Sequence, residues 1–266
     1  MVFNHNSAGP ILTKAMLAAF GLAAMLLATP ADAAEIQVVS SGGFFAAFQS
    51  MIPEFERQTG NTVVLQAGPS MGDTHDAVPL RLARGENIDV VIMVGYALGK
   101  LVEQGKASDR TDLAQAGIAA AVRAGAPVPD ISTLDALRKT MLAAKSIAYS
   151  DSASGVYIKN EMLKKLGIED AVKDRARMIP AEPVGRVVAR GEAELGFQQM
   201  SEMKPVPGIT IIGLLPPGAQ QYTVFSAGLV TGSKVPDAAR ALIRFLASPA
   251  TAKAITDSGM EPLGGK

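Results

Sequence analysis

Three short stretches put serine and glycine where a β-strand would give way to a helix: "VVSSGGFF" (38–45), "LQAGPSMGD" (65–73) and "AYSDSASGVY" (148–157). The first turn of a helix leaves backbone N–H groups unpaired and carries positive partial charge, so it can hold an anion without a basic side chain. Glycine lets the backbone come close to a ligand, and serine adds a hydroxyl donor. On this pattern Ser40, Ser41, Gly42 and Gly43 in the first turn, Ser70 and Met71 in the second, and Ser152, Ser154 and Gly155 in the third are expected to bind a small anion. Each turn alone has a plainer reading as an N-cap, in which the serine oxygen serves its own helix. Three such turns in one chain favour binding.

Other chemistries can be weighed against the same residues. "GPSMG" (68–72) matches the G-x-S-x-G of a nucleophile elbow in the right strand–turn–helix setting. An elbow serine needs an acid and then a histidine further along, but no histidine follows His75. A Ser-His-acid hydrolase is therefore excluded. Neither a dinucleotide fingerprint nor a P-loop occurs. The chain has no cysteine and only His5 and His75, which leaves no zinc ligand set, and no EF-hand spacing appears; no metal or other cofactor is expected.

His75 is the side chain after the leader that titrates near neutral pH, which makes it a candidate general base, in competition with a surface position. Ser41, Tyr96 or a carboxylate could substitute for it. Tyr96 follows "VIMVG" at a strand end and could line a cleft. Arg81 lies beside the second turn and is the candidate fork for a carboxylate; Arg84, Arg186 and Arg190 read as solvated helix faces. Gln198 and Gln199, in "GFQQ", close another strand and offer neutral donors to carboxylate oxygens.

The elements that must position these residues alternate. "IQVVS" (36–40), "TVVLQ" (62–66) and "IDVVIMV" (88–94) read as strands. Between the first two lies a helix with Phe45, Phe48, Ile52 and Phe55 on one face; Pro53 should kink it or shorten its hydrogen bonding, and Gly60 ends it. Alternation at this spacing indicates an α/β fold with parallel strands. "AGIAAAVRAGAPVPDIST" (116–133) carries an apolar strand into Gly125, Pro127 and Pro129, a natural crossing into a second α/β lobe. That lobe holds strands at "SIAYS" (146–150) and "AELGFQQ" (193–199), and "YTVFSAGLV" (222–230) returns to the first. An amphipathic helix over 236–259 closes the chain. The boundaries are a cleaved leader at 1–33, a first lobe at 34–123 and 222–266, and a second at 124–221.

The leader rests on Lys14, the short apolar run "AMLAAFGLAAMLLA" (15–28) and Ala31-Asp32-Ala33, the marks of a secretory signal, so the protein is expected in the periplasm. Lys plus Arg equals Asp plus Glu at 25 each, so neither nucleic acid nor an acidic membrane surface is an expected partner, and a monomer is expected.

In this order the motifs "SSGGFFAAFQSMIPEFERQTG", "GPSMG", "RLARGENIDVVIM", "SASGVY" and "ARALIRFLASPATAKAI" resemble the ModA-like periplasmic solute-binding proteins. The resemblance covers nearly all of the chain after the leader. It implies a type II periplasmic-binding-protein fold, two α/β lobes closing on a small anion. Molybdate binders of the group usually carry Ser-Leu at the first turn and a serine pair at the second; here Gly43 and Phe44, and Pro69 and Ser70, stand there. Fewer hydroxyls argue against a compact tetrahedral oxyanion. A branch of the group resembles aconitate isomerase, which implies a cofactor-free allylic proton shift on a tricarboxylate. The alternative is a non-catalytic receptor that delivers an organic or oxyanion ligand to an ABC transporter permease.

Overall fold

Strand β1 (Glu35–Ser40) runs parallel to β2 (Thr62–Ala67) on one side and to β3 (Val90–Val94) on the other in the computed structural model, which describes residues 1–3, 33–180 and 182–264. The expected leader lies outside the described residues. Met1–Asp32 and Ala33–Lys266 are separate units, and β1, β2 and β3 belong to the second. All five residues of β3 are buried, as a continuous "VVIMV" run covered on both faces requires.

Helix α1 (Gly42–Thr59) connects β1 to β2 and buries Phe44, Phe48, Met51 and Phe55, three or four positions apart. The buried face is centred one position away from the one expected: Phe45 and Ile52 lie at its margin, half-buried. Pro53 does not interrupt the helix. It sits on the exposed side, where water can serve the carbonyl that a proline leaves unpaired. Gly60 ends α1 in the left-handed conformation at φ 72°, its N–H donating to the Glu56 carbonyl at 2.8 Å. Short α2 (Val78–Ala83) leads into β3, and α3 (Gly95–Glu103) leaves it.

Strand β4 (Ala107–Arg123) is longer than the apolar segment that announces it. Its first part pairs antiparallel with β9 (Tyr222–Val230), as far as Gly117 opposite Tyr222. From Ile118 onward it pairs with β7 (Leu195–Gln199) and β8 (Ile209–Leu214). The changeover expected at 125–129 therefore falls inside β4, between Gly117 and Ile118. The polar opening "ASDRTDLAQ" conceals strand because much of it faces solvent and the register shifts twice against β9. At the changeover the Gln220 carboxamide acts as a strand would. It accepts the Ile118 N–H at 2.8 Å and donates to the Ile118 carbonyl at 3.0 Å.

Beyond β4, α4 (Leu134–Ala143) precedes β5 (Ile147–Ser150). A helical run follows, from α5 (Ala153–Tyr157) through a π-turn at Ile158–Met162 into α6 (Leu163–Lys165). After α7 (Glu169–Val172) come β6 (Ala176–Ile179) and α8 (Val184–Ala189), with β5 parallel to both β6 and β7. Helix α9 (Met200–Met203) starts directly at the end of β7. The single helix expected over 236–259 is two, α10 (Pro236–Leu246) and α11 (Ala252–Asp257), because Pro249 cannot continue the first and opens a 3-10 turn. Strand β10 (Glu261–Pro262) ends the chain against β4, and the strand order is β2-β1-β3-β9-β4-β7-β5-β6. One apolar cluster gathers Phe44, Phe48, Met93 and Leu242; a second gathers Leu137, Met141, Ile158 and Phe197.

Candidate active site

The turns after β1, β2, β3, β5 and β7 meet. The Ser41 N–H donates to the Ile92 carbonyl at 2.8 Å, and Gly68 N–H to the Ser40 carbonyl at 3.0 Å. The Ser70 hydroxyl accepts the Val94 N–H at 2.9 Å, fastening the second turn to the start of α3. Ala153, at the start of α5, packs against the apolar cluster around β1 and β3 and so brings the third turn to the first two. Ligands of open α/β sheets sit at this end, outside the carboxyl ends of the strands.

The serines at these helix starts are not caps. Ser41 and Ser152 occupy the N-cap positions of α1 and α5, yet neither side chain makes a capping bond. The Ser41 hydroxyl is buried and finds no partner within the protein. Ser152 Oγ lies 2.8 Å from Ser150 Oγ, which lies 2.9 Å from Ser154 Oγ, so three hydroxyls form a chain beside the third turn. Two glycines are dictated by space. A Cβ on Gly155 would stand 1.5 Å from the Ser150 carbonyl oxygen, and one on Gly43 would stand 2.1 Å from the Phe225 ring.

Strand β7 brings amides and a carboxyl group to the same place. Gln199 Nε2 donates to Thr223 Oγ1 at 2.7 Å, while its buried Oε1 has no protein partner. Gln198 Oε1 accepts the Val184 N–H at 2.8 Å, and the Gln198 side chain also hydrogen-bonds Glu202. Glu202, on α9, faces the first turn so closely that a Cβ on Gly42 would stand 2.6 Å from its Oε1. Burial raises the Glu202 pKa to about 7; the Asp151 carboxylate pushes the same way, against the Gln198 hydrogen bond. The sequence leaves a carboxylate open as base but does not by itself single this one out. The available signal is an acid just past the end of a buried strand, in "GFQQMSE", on the side of the sheet where ligands bind. Asp151, inside the third motif but not singled out there, and Thr223, which no motif marks, are further candidate site residues.

The remaining expected residues separate. A groove of about 470 Å³ opens beside the turns, with Val94, Tyr96, Arg110, Ala153, Tyr157 and Thr223 among its walls. Tyr96 lies on α3, just past the end of β3, 54 % exposed, and its hydroxyl donates to Met71 Sδ at 3.3 Å. Arg110, which no sequence motif marks, supplies a guanidinium to this groove while pairing with Asp112 at 3.0 Å. Arg81 is buried and committed: Nε donates to Glu86 at 2.7 Å, and the same guanidinium bonds the Gln66 side chain. It braces α2 against β2 and has no fork left to offer a carboxylate. The His75 side chain is 80 % exposed and meets Asp76 at 3.2 Å. Ser70 lies at the second turn, where its oxygen accepts the Val94 N–H and its O–H is left to donate. Among the described residues, no group of three or more His, Cys, Asp or Glu side chains stands together in a way that could hold a metal ion.

Comparison with known proteins agrees with this architecture. The chain is 52 % identical over 254 residues to an aconitate isomerase of a Pseudomonas species, covering 93 % of this chain and 97 % of the relative. It is 26 % identical over 262 residues to the molybdate-binding protein ModA of Azotobacter vinelandii, covering 90 % and 94 % of the two chains. The solved structure of the Azotobacter vinelandii periplasmic molybdate-binding protein superposes with a TM-score of 0.65 at 20 % identity, over 85 % of this chain and 98 % of that one. That likeness carries the fold, the type II periplasmic-binding-protein architecture. The family described as bacterial extracellular solute-binding protein matches residues 36–261, and the chain belongs to it.

Proposed function

We propose that this protein is a cofactor-free isomerase that interconverts cis- and trans-aconitate in the periplasm. The observation that carries this reading is 52 % identity to a named aconitate isomerase along nearly the whole of both chains. The site suits the chemistry. An allylic proton shift builds negative charge on carboxylate oxygens, and preorganised donors stabilise such charge without reorganising. The start of α1, the unpartnered Ser41 hydroxyl and the Ser150–Ser152–Ser154 chain supply donors, and Arg110 adds a cation at the groove. The two lobes, joined where β4 changes partners between Gly117 and Ile118, would close over the substrate and exclude water.

A second reading, a receptor passing a small anion to an ABC transporter, is favoured by the molybdate-binding relative and the shared fold. It fits less well at the first turn, where Gly43 stands at the position of the serine in molybdate binders. Incubating purified protein with each aconitate isomer and following the isomer ratio by proton NMR separates the two. Conversion in both directions, with no citrate formed, supports the isomerase. Tight binding with no conversion rejects it and leaves the receptor.

A further inference from the structure

Glu202 is the carboxyl group that the geometry aims at the anion-binding turns. It begins on α9 and reaches across to Gly42 at the start of α1, an eighteen-residue helix. Gly42 carries no side chain, which leaves the carboxyl its place against the backbone. Ser41 Oγ, one residue before Gly42, and Gln199 Oε1, at the end of β7, are buried without a protein partner, as expected of groups that await a ligand. Gln198 orients the carboxyl, and the carboxamide is itself fixed by the Val184 N–H. We infer that Glu202 is the general base that removes the allylic proton and returns it. The inference rests on the isomerase reading above.

The step balances with no other reactant. The Glu202 carboxylate takes one proton from the substrate methylene and becomes a carboxylic acid. The electron pair left behind spreads over the allylic carbons and the adjoining carboxylates. The acid then gives one proton to the carbon at the far end of the allylic unit, and the double bond moves by one position. The conformation held about the bond that becomes double decides whether cis or trans product forms. One monoprotic group beside one face of the substrate can serve both carbons.

The surroundings suit the task. A general base works best with a pKa near the operating pH, and burial holds that of Glu202 near 7. The charged group acting on it is Asp151, from the turn after β5; Gln198 from β7 and Gly42 from α1 face it uncharged. The exposed His75, paired with Asp76, has none of these features.

The experiment compares wild type, Glu202→Gln and Glu202→Asp, with cis- and trans-aconitate as probes. Turnover and uptake of solvent deuterium into the substrate are read by NMR, and binding by calorimetry. For Glu202→Gln, kcat should fall by roughly 10²–10⁴-fold and deuterium uptake with it, while the Kd for trans-aconitate stays within about fivefold. Glu202→Asp should keep partial turnover, with the rising limb of its pH profile displaced from that of wild type. Glu202→Gln that keeps a tenth or more of wild-type kcat, or that loses binding in step with turnover, overturns the assignment while leaving the isomerase reading intact. Wild-type protein that converts neither isomer removes both, and that result is seen before any substitution is made.

Discussion

At the residue scale, Ser41 and Ser70 look alike in sequence and differ in what they hold. The Ser41 hydroxyl is buried without a partner, so Ser41→Ala removes an unmet desolvation cost and should leave the melting temperature unchanged or slightly higher. Affinity for aconitate should fall by about 1.5–3 kcal/mol, the worth of a hydrogen bond to a charged group, measured by calorimetry. Ser70→Ala instead orphans the buried Val94 N–H and should cost about 1–3 kcal/mol of folding stability in denaturant titrations. Equal stability losses for the two variants would contradict this distinction. Glu202 adds a pH dependence. Its folded pKa of about 7 lies above the ordinary carboxyl value of 4.5, so the native state binds the proton more tightly than the unfolded chain. Stability is then lost as pH rises from about 4.5 to about 7, by an amount on the order of a few kcal/mol. Glu202→Gln should therefore melt several degrees above wild type at pH 8, and the gap should narrow toward pH 5. A gap that is constant with pH would show that the carboxyl group is not buried in charged form.

At the element scale, the helix starts depend on the absence of side chains. Gly155→Ala would drive a methyl group into the Ser150 carbonyl, which is backbone and cannot swing aside. The start of α5 must move, and the Ser150–Ser152–Ser154 hydroxyl chain with it. The loss expected is above about 2 kcal/mol, together with loss of ligand binding; a variant that melts within a degree of wild type would show that the turn yields at little cost. The same elements show what can be read in advance. β1, β2, β3, β5, β7 and β9 announce themselves as apolar runs flanked by glycine or serine, so the alternation and the turns at strand ends are legible. The first half of β4 is not. Its polar residues face water, and only pairing with β9, more than a hundred positions away in sequence, makes it strand. Arg81 misleads for a related reason. Its partners Gln66 and Glu86 flank α2 on both sides, and nothing in the local pattern shows that the guanidinium is already taken. Glu202 is hidden because its significance lies in facing Gly42, a neighbour that only the folded chain supplies.

At the scale of the whole molecule, two strands, β4 and β9, and the segment before β9 connect the two halves. Chemistry that must exclude water needs those halves to close on the substrate and reopen. Gln220 is placed to govern that motion. Its carboxamide holds both backbone groups of Ile118 at the point where β4 changes partners, and it reaches the Leu215 carbonyl at 3.4 Å. Gln220→Ala leaves two strand groups without those bonds at the changeover and should widen the range of lobe orientations. A protein that spends less time in its binding-competent arrangement binds more weakly in proportion. The Kd for aconitate should rise about tenfold, which corresponds to about 1.4 kcal/mol. The catalytic groups are untouched, so kcat at saturation should stay within about twofold. Small-angle scattering should show a larger radius of gyration for the unliganded variant than for wild type, with the two converging once saturated. A variant whose kcat collapses while its Kd holds would mean that Gln220 shapes the site itself. One with wild-type Kd and radius would mean that the strands alone set how the halves meet.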